Sequence, residues 1–83
     1  MKITIRYFAS IREAVGTASE VRETSAATLA ALRDELIAGS PLHAAALARG
    51  KSVRMALGQV MSAESAALTD GCEVAFFPPV TGG

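Results

Sequence analysis

Apolar and polar side chains alternate over the first residues of the chain, with Ile3, Ile5 and Tyr7 separated by Lys2, Thr4 and Arg6. Successive side chains of a strand point to opposite faces, so this pattern predicts a strand with one buried face. Residues 10–15 lose the alternation and end at Gly16, which predicts a single helical turn closed by a residue that tolerates positive φ. A weaker alternation over residues 18–22 predicts a short second strand.

The middle of the chain has helical spacing instead. From Ala26 the sequence is rich in Ala and Leu, and three leucines recur three and four residues apart, at Leu29, Leu32 and Leu36. This predicts the main helix, with the charged residues on its opposite, exposed side: Arg33, Asp34 and Glu35. Ser25 or Thr28 is expected to cap its start, and Gly39 followed by Pro41 to end it. A second short helix is predicted over residues 41–48.

Strand patterns return in the second half. Alternation of Val53, Met55 and Leu57 with polar or small residues predicts a strand, followed by a turn at Gly58-Gln59 and a short strand at Val60-Met61. An Asp70-Gly71 turn precedes a last strand over residues 72–77, with Cys72, Val74 and Phe76 on one face and Glu73, Ala75 and Phe77 on the other. The order of elements predicts an α+β fold, in which one main helix packs across one face of a small mixed sheet.

Composition excludes several classes of protein. A chain of 83 residues is one domain, and 8 Lys+Arg against 8 Asp+Glu leave no net charge to attract nucleic acid. With 51% hydrophobic and 19% charged residues, the chain is expected to fold without a membrane. Its single cysteine, Cys72, and its alternating start, without a signal-like segment, favour a cytoplasmic protein.

The interior of the sequence offers no catalytic or metal-binding constellation. His43 is the sole histidine and is expected to be a solvated residue on a helix face, while Cys72 is expected to be a half-buried hydrophobe. No phosphate-binding glycine motif is present. Six acidic residues are predicted to be ordinary surface charges: Glu13, Glu20, Glu23, Asp34, Glu35 and Glu64.

The informative segment is the end, Phe76-Phe77-Pro78-Pro79-Val80-Thr81-Gly82-Gly83. Two prolines remove backbone donors, so we expect the folded domain to span residues 1–77 and an extended tail to span 78–83. Six extended residues reach about 20 Å. Without Cβ atoms, Gly82 and Gly83 suit a narrow channel, and a terminal carboxylate joined to AMP becomes an electrophile that a sulfur nucleophile can attack.

With these elements in place, the chain resembles the small sulfur-carrier subunits of molybdopterin synthase, which are ubiquitin-like β-grasp proteins. The resemblance is strongest over residues 68–83 and is supported by Tyr7-Phe8-Ala9 and by residues 28–32. It implies that an E1-like enzyme uses ATP to adenylate Gly83, and that a sulfur-donor protein then supplies the sulfur of a thiocarboxylate. No cofactor is expected to be bound.

The resemblance also implies a partner and a division of labour. The tail would insert into the large synthase subunit of a heterotetramer and give sulfur to cyclic pyranopterin monophosphate, with the catalytic residues on that large subunit. By position, Gly83 would carry the sulfur and Gly82 would give clearance. The inserted arm would consist of Pro78, Pro79, Val80 and Thr81. Phe77 and Met61 are candidates for an apolar docking surface, although either is also compatible with a core position.

Three other functions remain open at this stage. A sulfur carrier of thiamine biosynthesis would use the same chemistry, although such carriers usually lack the Phe-Phe-Pro-Pro-Val-Thr segment. A ubiquitin-like protein modifier would pass Gly83 to a lysine amine. A pure adaptor would have a terminus that never reacts.

Overall fold

The computed structural model describes residues 1–79 as a mixed sheet with helices packed on one of its faces. The elements in chain order are β1 (Lys2–Tyr7), α1 (Ala9–Val15), β2 (Ser19–Glu23), α2 (Leu29–Gly39), α3 (Pro41–Leu47), β3 (Arg54–Leu57), β4 (Val60–Met61) and β5 (Glu73–Phe77). The strands lie in the order β2-β1-β5-β3-β4. β1 and β5 run parallel at the centre, and the other pairs are antiparallel. The predicted α+β architecture is confirmed.

The core lies between the sheet and the helices, where the predicted alternation places it. Its strand side chains include Ile3, Ile5, Tyr7, Val74 and Phe76, all at most 1% exposed. The three leucines of the predicted helical stripe, Leu29, Leu32 and Leu36, are buried against them. The rings of Tyr7 and Phe76 stack with their centres 6.1 Å apart. Burial of these side chains supplies the main driving force for folding.

Local chemistry decides where α2 and α3 begin. The Thr28 hydroxyl accepts a hydrogen bond from the Ala31 amide at 3.2 Å, so Thr28 caps α2 and Ser25 does not. α2 starts at Leu29, later than the Ala-rich composition suggests. Ser40 separates the two helices and caps α3 by accepting from the Leu42 amide. Pro41 at the first helical position needs no donor, which suits the start of α3.

The hairpin between β3 and β4 turns where the sequence predicts. Gly58 and Gln59 both have positive φ, 58° and 68°. Two consecutive left-handed residues form the turn that matches the twist of a tight hairpin. Gln59 is therefore the residue that carries the backbone strain of this turn, because a side chain disfavours that region.

Arg33 is buried, although the sequence predicts that the charged side of α2 is exposed. It lies four residues after Leu29 and three before Leu36, which places it at the border of the leucine stripe. α3 packs there, and Arg33 is only 4% exposed. Its guanidinium donates hydrogen bonds to backbone carbonyls at the end of α3 and just beyond. The prediction of a solvated Arg33 was wrong because α3 covers that flank of α2.

His43 and Glu20 also differ from the expectation of solvated side chains. The His43 side chain is 15% exposed, and its Nε2 lies 3.1 Å from Glu20 Oε2. The same carboxylate oxygen accepts from the Tyr7 hydroxyl at 3.0 Å. The edge of the imidazole packs against the Tyr7 ring, 5.7 Å between centres. Burial raises the pKa of the Tyr7 hydroxyl, and the charge of Glu20 raises it further.

A second carboxylate, Glu35, is likewise part of a polar layer rather than a free surface charge. It accepts hydrogen bonds from the Thr24 hydroxyl at 2.6 Å and from Arg22 Nε at 2.7 Å. Burial alone would raise the pKa of this carboxyl, but the two hydrogen bonds and the charge of Arg22 together lower it by more, so the net pKa lies below the ordinary value. Both bonds favour the charged form and join α2 to β2 and the residue after it.

We expect the substitution Leu32→Ala to lower the free energy of unfolding by about 2–5 kcal/mol, because it removes a fully buried side chain from the centre of α2. Chemical denaturation measures this change. Ala31→Ser, on the exposed side of the same helix, is the matched control and should stay within about 0.5 kcal/mol of the parent. Equal effects of the two substitutions would contradict the assigned core.

The Glu35 carboxyl predicts a pH dependence of stability. Its pKa is lower in the folded than in the unfolded chain, where it is about 4.3. The stabilisation that the charged Glu35 carboxylate provides is therefore complete above its unfolded pKa and is lost as the pH falls through its folded pKa. Melting temperatures measured between neutral and acidic pH should fall less steeply for Glu35→Gln than for the parent. Parallel curves would show that Glu35 contributes no such linkage.

Candidate functional site

One face of the sheet carries no helix in the described part of the chain. The strand register places Arg6 beside Ala75, Ala75 beside Ala56, and Ala56 beside Met61, in one row across four strands. Side chains at paired positions point to the same face of a sheet. Two alanines at the centre of this row leave a depression, bordered by longer side chains on both sides.

This depression is a groove of about 400 Å³, which we call the open-face groove, lined by Arg6, Phe8, Ala56, Gln59, Met61, Glu73, Ala75 and Phe77. Both residues that the sequence suggested for a docking surface, Phe77 and Met61, lie in it. Met61 is 53% exposed, so it is a surface residue and not a core one. Phe77 is half-buried, with one side against its neighbours and the other open to the groove. Exposed apolar patches of this kind are typical of contact sites.

Phe8 belongs to the same groove and was missed from the sequence. Its ring meets that of Phe77 edge to face at 6.2 Å, and it remains 42% exposed. The Arg6 guanidinium lies 6.0 Å from the Phe8 ring centre. Phe8 continues the face of β1 that carries Lys2, Thr4 and Arg6, so an aromatic residue at a position predicted to face water was the available signal.

Charged residues border the apolar part of the groove. Arg6 Nη1 and Glu73 Oε2 are 3.8 Å apart on neighbouring strands, and both side chains are partly exposed. Arg54 is opposite Phe77 in the register of β3 and β5. An apolar centre with a charged border is the usual composition of a protein–protein contact surface.

The chain leaves the sheet beside this groove. β5 ends at Phe77, as predicted, because Pro78 and Pro79 have no amide hydrogen to continue a ladder. Pro78 is half-buried and lines a small cavity of about 120 Å³ with residues of α1 and of 51–53, whereas Pro79 is exposed. The predicted tail residues Val80, Thr81, Gly82 and Gly83 lie outside the described residues.

Within residues 1–79, the structure contains neither a cluster of metal-binding side chains nor a helix suited to cross a membrane. No group of three or more His, Cys, Asp or Glu residues there is arranged to hold a metal ion. None of the helices within this range has the length and apolar character needed to cross a membrane. Cys72 is half-buried, as expected. The described residues form an apolar groove at the base of the terminal segment, and such a surface is suited to binding.

Comparison with known proteins shows the family to which the chain belongs. Residues 5–83 match the model of the ThiS family. The chain is 44% identical over 81 residues to the molybdopterin synthase sulfur carrier subunit of Escherichia coli (strain K12), covering 98% of this chain and 99% of that protein.

Solved structures agree on the fold. SAMP1 from Haloferax volcanii matches with a TM-score of 0.79 and 24% identity over 100% of both chains. A protein–protein complex of subunits 1 and 2 of molybdopterin-converting factor from Helicobacter pylori 26695 matches with a TM-score of 0.67 and 24% identity, again over 100% of both chains. The chain therefore belongs to the ThiS family of ubiquitin-like β-grasp proteins, as a relative of the molybdopterin synthase sulfur carrier subunits.

Proposed function

We propose that the protein is the sulfur-carrier subunit of a molybdopterin synthase. The observation that carries this proposal is the full-length similarity to a curated sulfur carrier subunit, 44% identical over 81 residues. A groove with two aromatic residues at the base of a Gly-Gly terminus supports it, because a carrier must dock on a partner and extend its end into that partner.

The reactive group in this proposal is the terminal carboxylate of Gly83. An E1-like enzyme uses ATP to join the carboxylate to AMP, which makes the carbonyl carbon electrophilic. Sulfur from a donor protein then displaces AMP and leaves a thiocarboxylate, which delivers its sulfur to cyclic pyranopterin monophosphate. This chain itself binds no cofactor and supplies no acid or base, because the catalytic residues belong to the large subunit. Two such deliveries complete the dithiolene of molybdopterin.

The partner we propose is the large subunit of the synthase, in a heterotetramer. The name of the Escherichia coli relative supports this, since it describes a subunit of a synthase. The open-face groove is the docking surface, with Phe77 and Met61 contributing apolar area and Phe8 enlarging it. Residues 1–77 act as the folded platform and residues 78–83 as the inserted arm, in which Gly82 gives clearance for Gly83.

The proposed location is the cytoplasm. The activation of Gly83 consumes ATP, and the single cysteine forms no internal disulfide. Nucleic acid is not among the proposed partners, because the chain has no net positive charge.

We expect removal of Gly83, or the substitution Gly83→Val, to abolish sulfur loading and transfer while the melting temperature stays unchanged. The terminus is the reacting group, whereas the described core consists of residues between Ile3 and Phe76. Intact mass spectrometry after incubation with ATP, an E1-like enzyme and a sulfur source measures loading as the replacement of one oxygen by sulfur in the parent protein. The acceptor assay then uses the large subunit with cyclic pyranopterin monophosphate.

The same experiment separates the alternative functions. A parent protein whose mass never changes, despite an active enzyme, would contradict the proposal and favour an adaptor. Conjugation of Gly83 to lysine amines in place of sulfur loading would favour a protein modifier. Loading without transfer to the pyranopterin would point to a carrier for another sulfur acceptor, such as that of thiamine biosynthesis.

Substitutions in the open-face groove should weaken docking on the large subunit. We expect Phe8→Ala, Met61→Ala and Phe77→Ala each to cost about 1–3 kcal/mol of binding free energy, as central apolar contacts do. Titration calorimetry with the large subunit measures the dissociation constants. Val21→Ala is the matched control, because Val21 is 64% exposed on β2, outside the groove. Unchanged dissociation constants for all three groove variants would remove this surface from the interface.

A further inference from the structure

Arg33 is the most deeply buried charged residue in the part of the chain that the structure describes. Its guanidinium lies between α2 and the end of α3, where Nε donates to the Leu47 carbonyl at 2.8 Å. Nη2 donates to the carbonyls of Ala48 at 2.8 Å and Lys51 at 3.0 Å. One side chain thus holds three carbonyls of the segment that links α3 to β3.

Arg33 supplies donors to carbonyls at the end of α3 and just beyond it. The last carbonyls of a helix have no following amide within the helix, and the buried ones need a donor from elsewhere. Lys51 donates its amide back to the Ala48 carbonyl at 2.8 Å, which closes a tight loop around the guanidinium. The backbone of residues 47–51 therefore surrounds the guanidinium of Arg33, whose planar fork of donors reaches all three carbonyls together.

The same segment continues into residues that line a cavity beside the base of the tail. Lys51, Ser52 and Val53 line the cavity of about 120 Å³ in which Pro78 is half-buried. Ser10, Ile11 and Ala14 of α1 form the opposite wall, with Ala46 of α3 also lining the cavity. Pro78 is the first residue after β5, so its packing sets where the chain points when it leaves the sheet.

We propose that Arg33 is a positioning residue for the C-terminal tail. By fixing the carbonyls of residues 47–51, it holds residues 51–53 in place in the cavity wall that they share with Pro78, and so it defines the direction in which the tail begins. The consequence for sulfur transfer rests on the proposed function: a tail with a fixed origin loses less conformational entropy on insertion into a partner.

Arg49 provides a matched control in the same region. It is exposed, and it contacts Asp34, Glu64 and the Ala30 carbonyl, but none of the carbonyls held by Arg33. Both arginines contact Glu64, so Arg49→Met and Arg33→Met remove a charge from the same neighbourhood. Arg49 lies within the segment 47–51, so Arg49→Met removes an outer contact of this segment, whereas Arg33→Met removes the donor to its carbonyls.

The test compares Arg33→Met, Arg33→Lys and Arg49→Met with the parent. Nuclear Overhauser contacts between Pro78 and the methyl groups of Ala14 and Val53 measure whether the base of the tail keeps its place. We expect them to disappear in both Arg33 variants and to persist in Arg49→Met. Arg33→Lys keeps the positive charge but replaces the planar guanidinium with a compact ammonium. It therefore tests whether the arrangement of donors matters if Arg33→Met does not fold. Ile3→Val, a core change in β1, controls for a simple loss of stability.

A second measurement follows the functional consequence. With the thiocarboxylated variants and the large subunit, we expect KM for the carrier to rise roughly 5- to 10-fold in the Arg33 variants with kcat unchanged, because only pre-organisation is lost. Persistence of the Pro78 contacts in both Arg33 variants, or their equal loss in Ile3→Val, would overturn the proposal. If the parent protein transfers no sulfur at all, the proposed function fails, while the contacts of Pro78 still decide the role of Arg33.

Discussion

The parallel pairing of β1 with β5 is the constraint on which the rest of the structure depends. It places the first and last strands side by side at the centre of the sheet, with Ile5 next to Val74 and Tyr7 next to Phe76. Parallel neighbours need a long connection, and the helices supply it while covering one face. The amide of Phe8 donates to the Phe76 carbonyl at the end of this pair, so the two strands finish together.

The site follows from the same pairing. Residues that alternate with the core on β1 and β5 form the open face, which brings Arg6 and Phe8 beside Ala75 and Phe77. Because β5 is central and ends at Phe77, the terminal segment leaves from the middle of the sheet and not from an edge. In the proposed function, this geometry lets one surface bind a partner while the adjacent terminus reaches into it, so binding and delivery use neighbouring residues.

The sequence predicted most of the fold because periodicity and turn chemistry are local. Alternation identified β1 and β5, leucine spacing identified α2, and Gly58-Gln59 marked the hairpin. The features that the sequence did not predict depend on which elements lie side by side in the fold. Arg33, His43 and Glu20 were expected to be exposed because polar side chains usually are, but contacts among α2, α3, β1 and β2 bury Arg33 and leave His43 and Glu20 only partly exposed. Met61 and Phe77 were candidate site residues from the sequence, whereas Phe8 was missed although its place on the polar side of β1 was a signal.

The polar residues between the helices and strands fix how these elements are placed relative to one another more than they add to stability. An ion pair or guanidinium in a core stabilises little compared with an apolar replacement of the same shape, since burying the charge costs about as much as its contacts return. Arg33 instead donates to carbonyls at the end of α3 and just beyond, and Glu35 accepts from the hydroxyl of Thr24. Such directional contacts fix relative placement, which apolar packing alone defines less sharply. In the proposed function, a reactive group on the tail requires that fixed placement at the point where the tail begins.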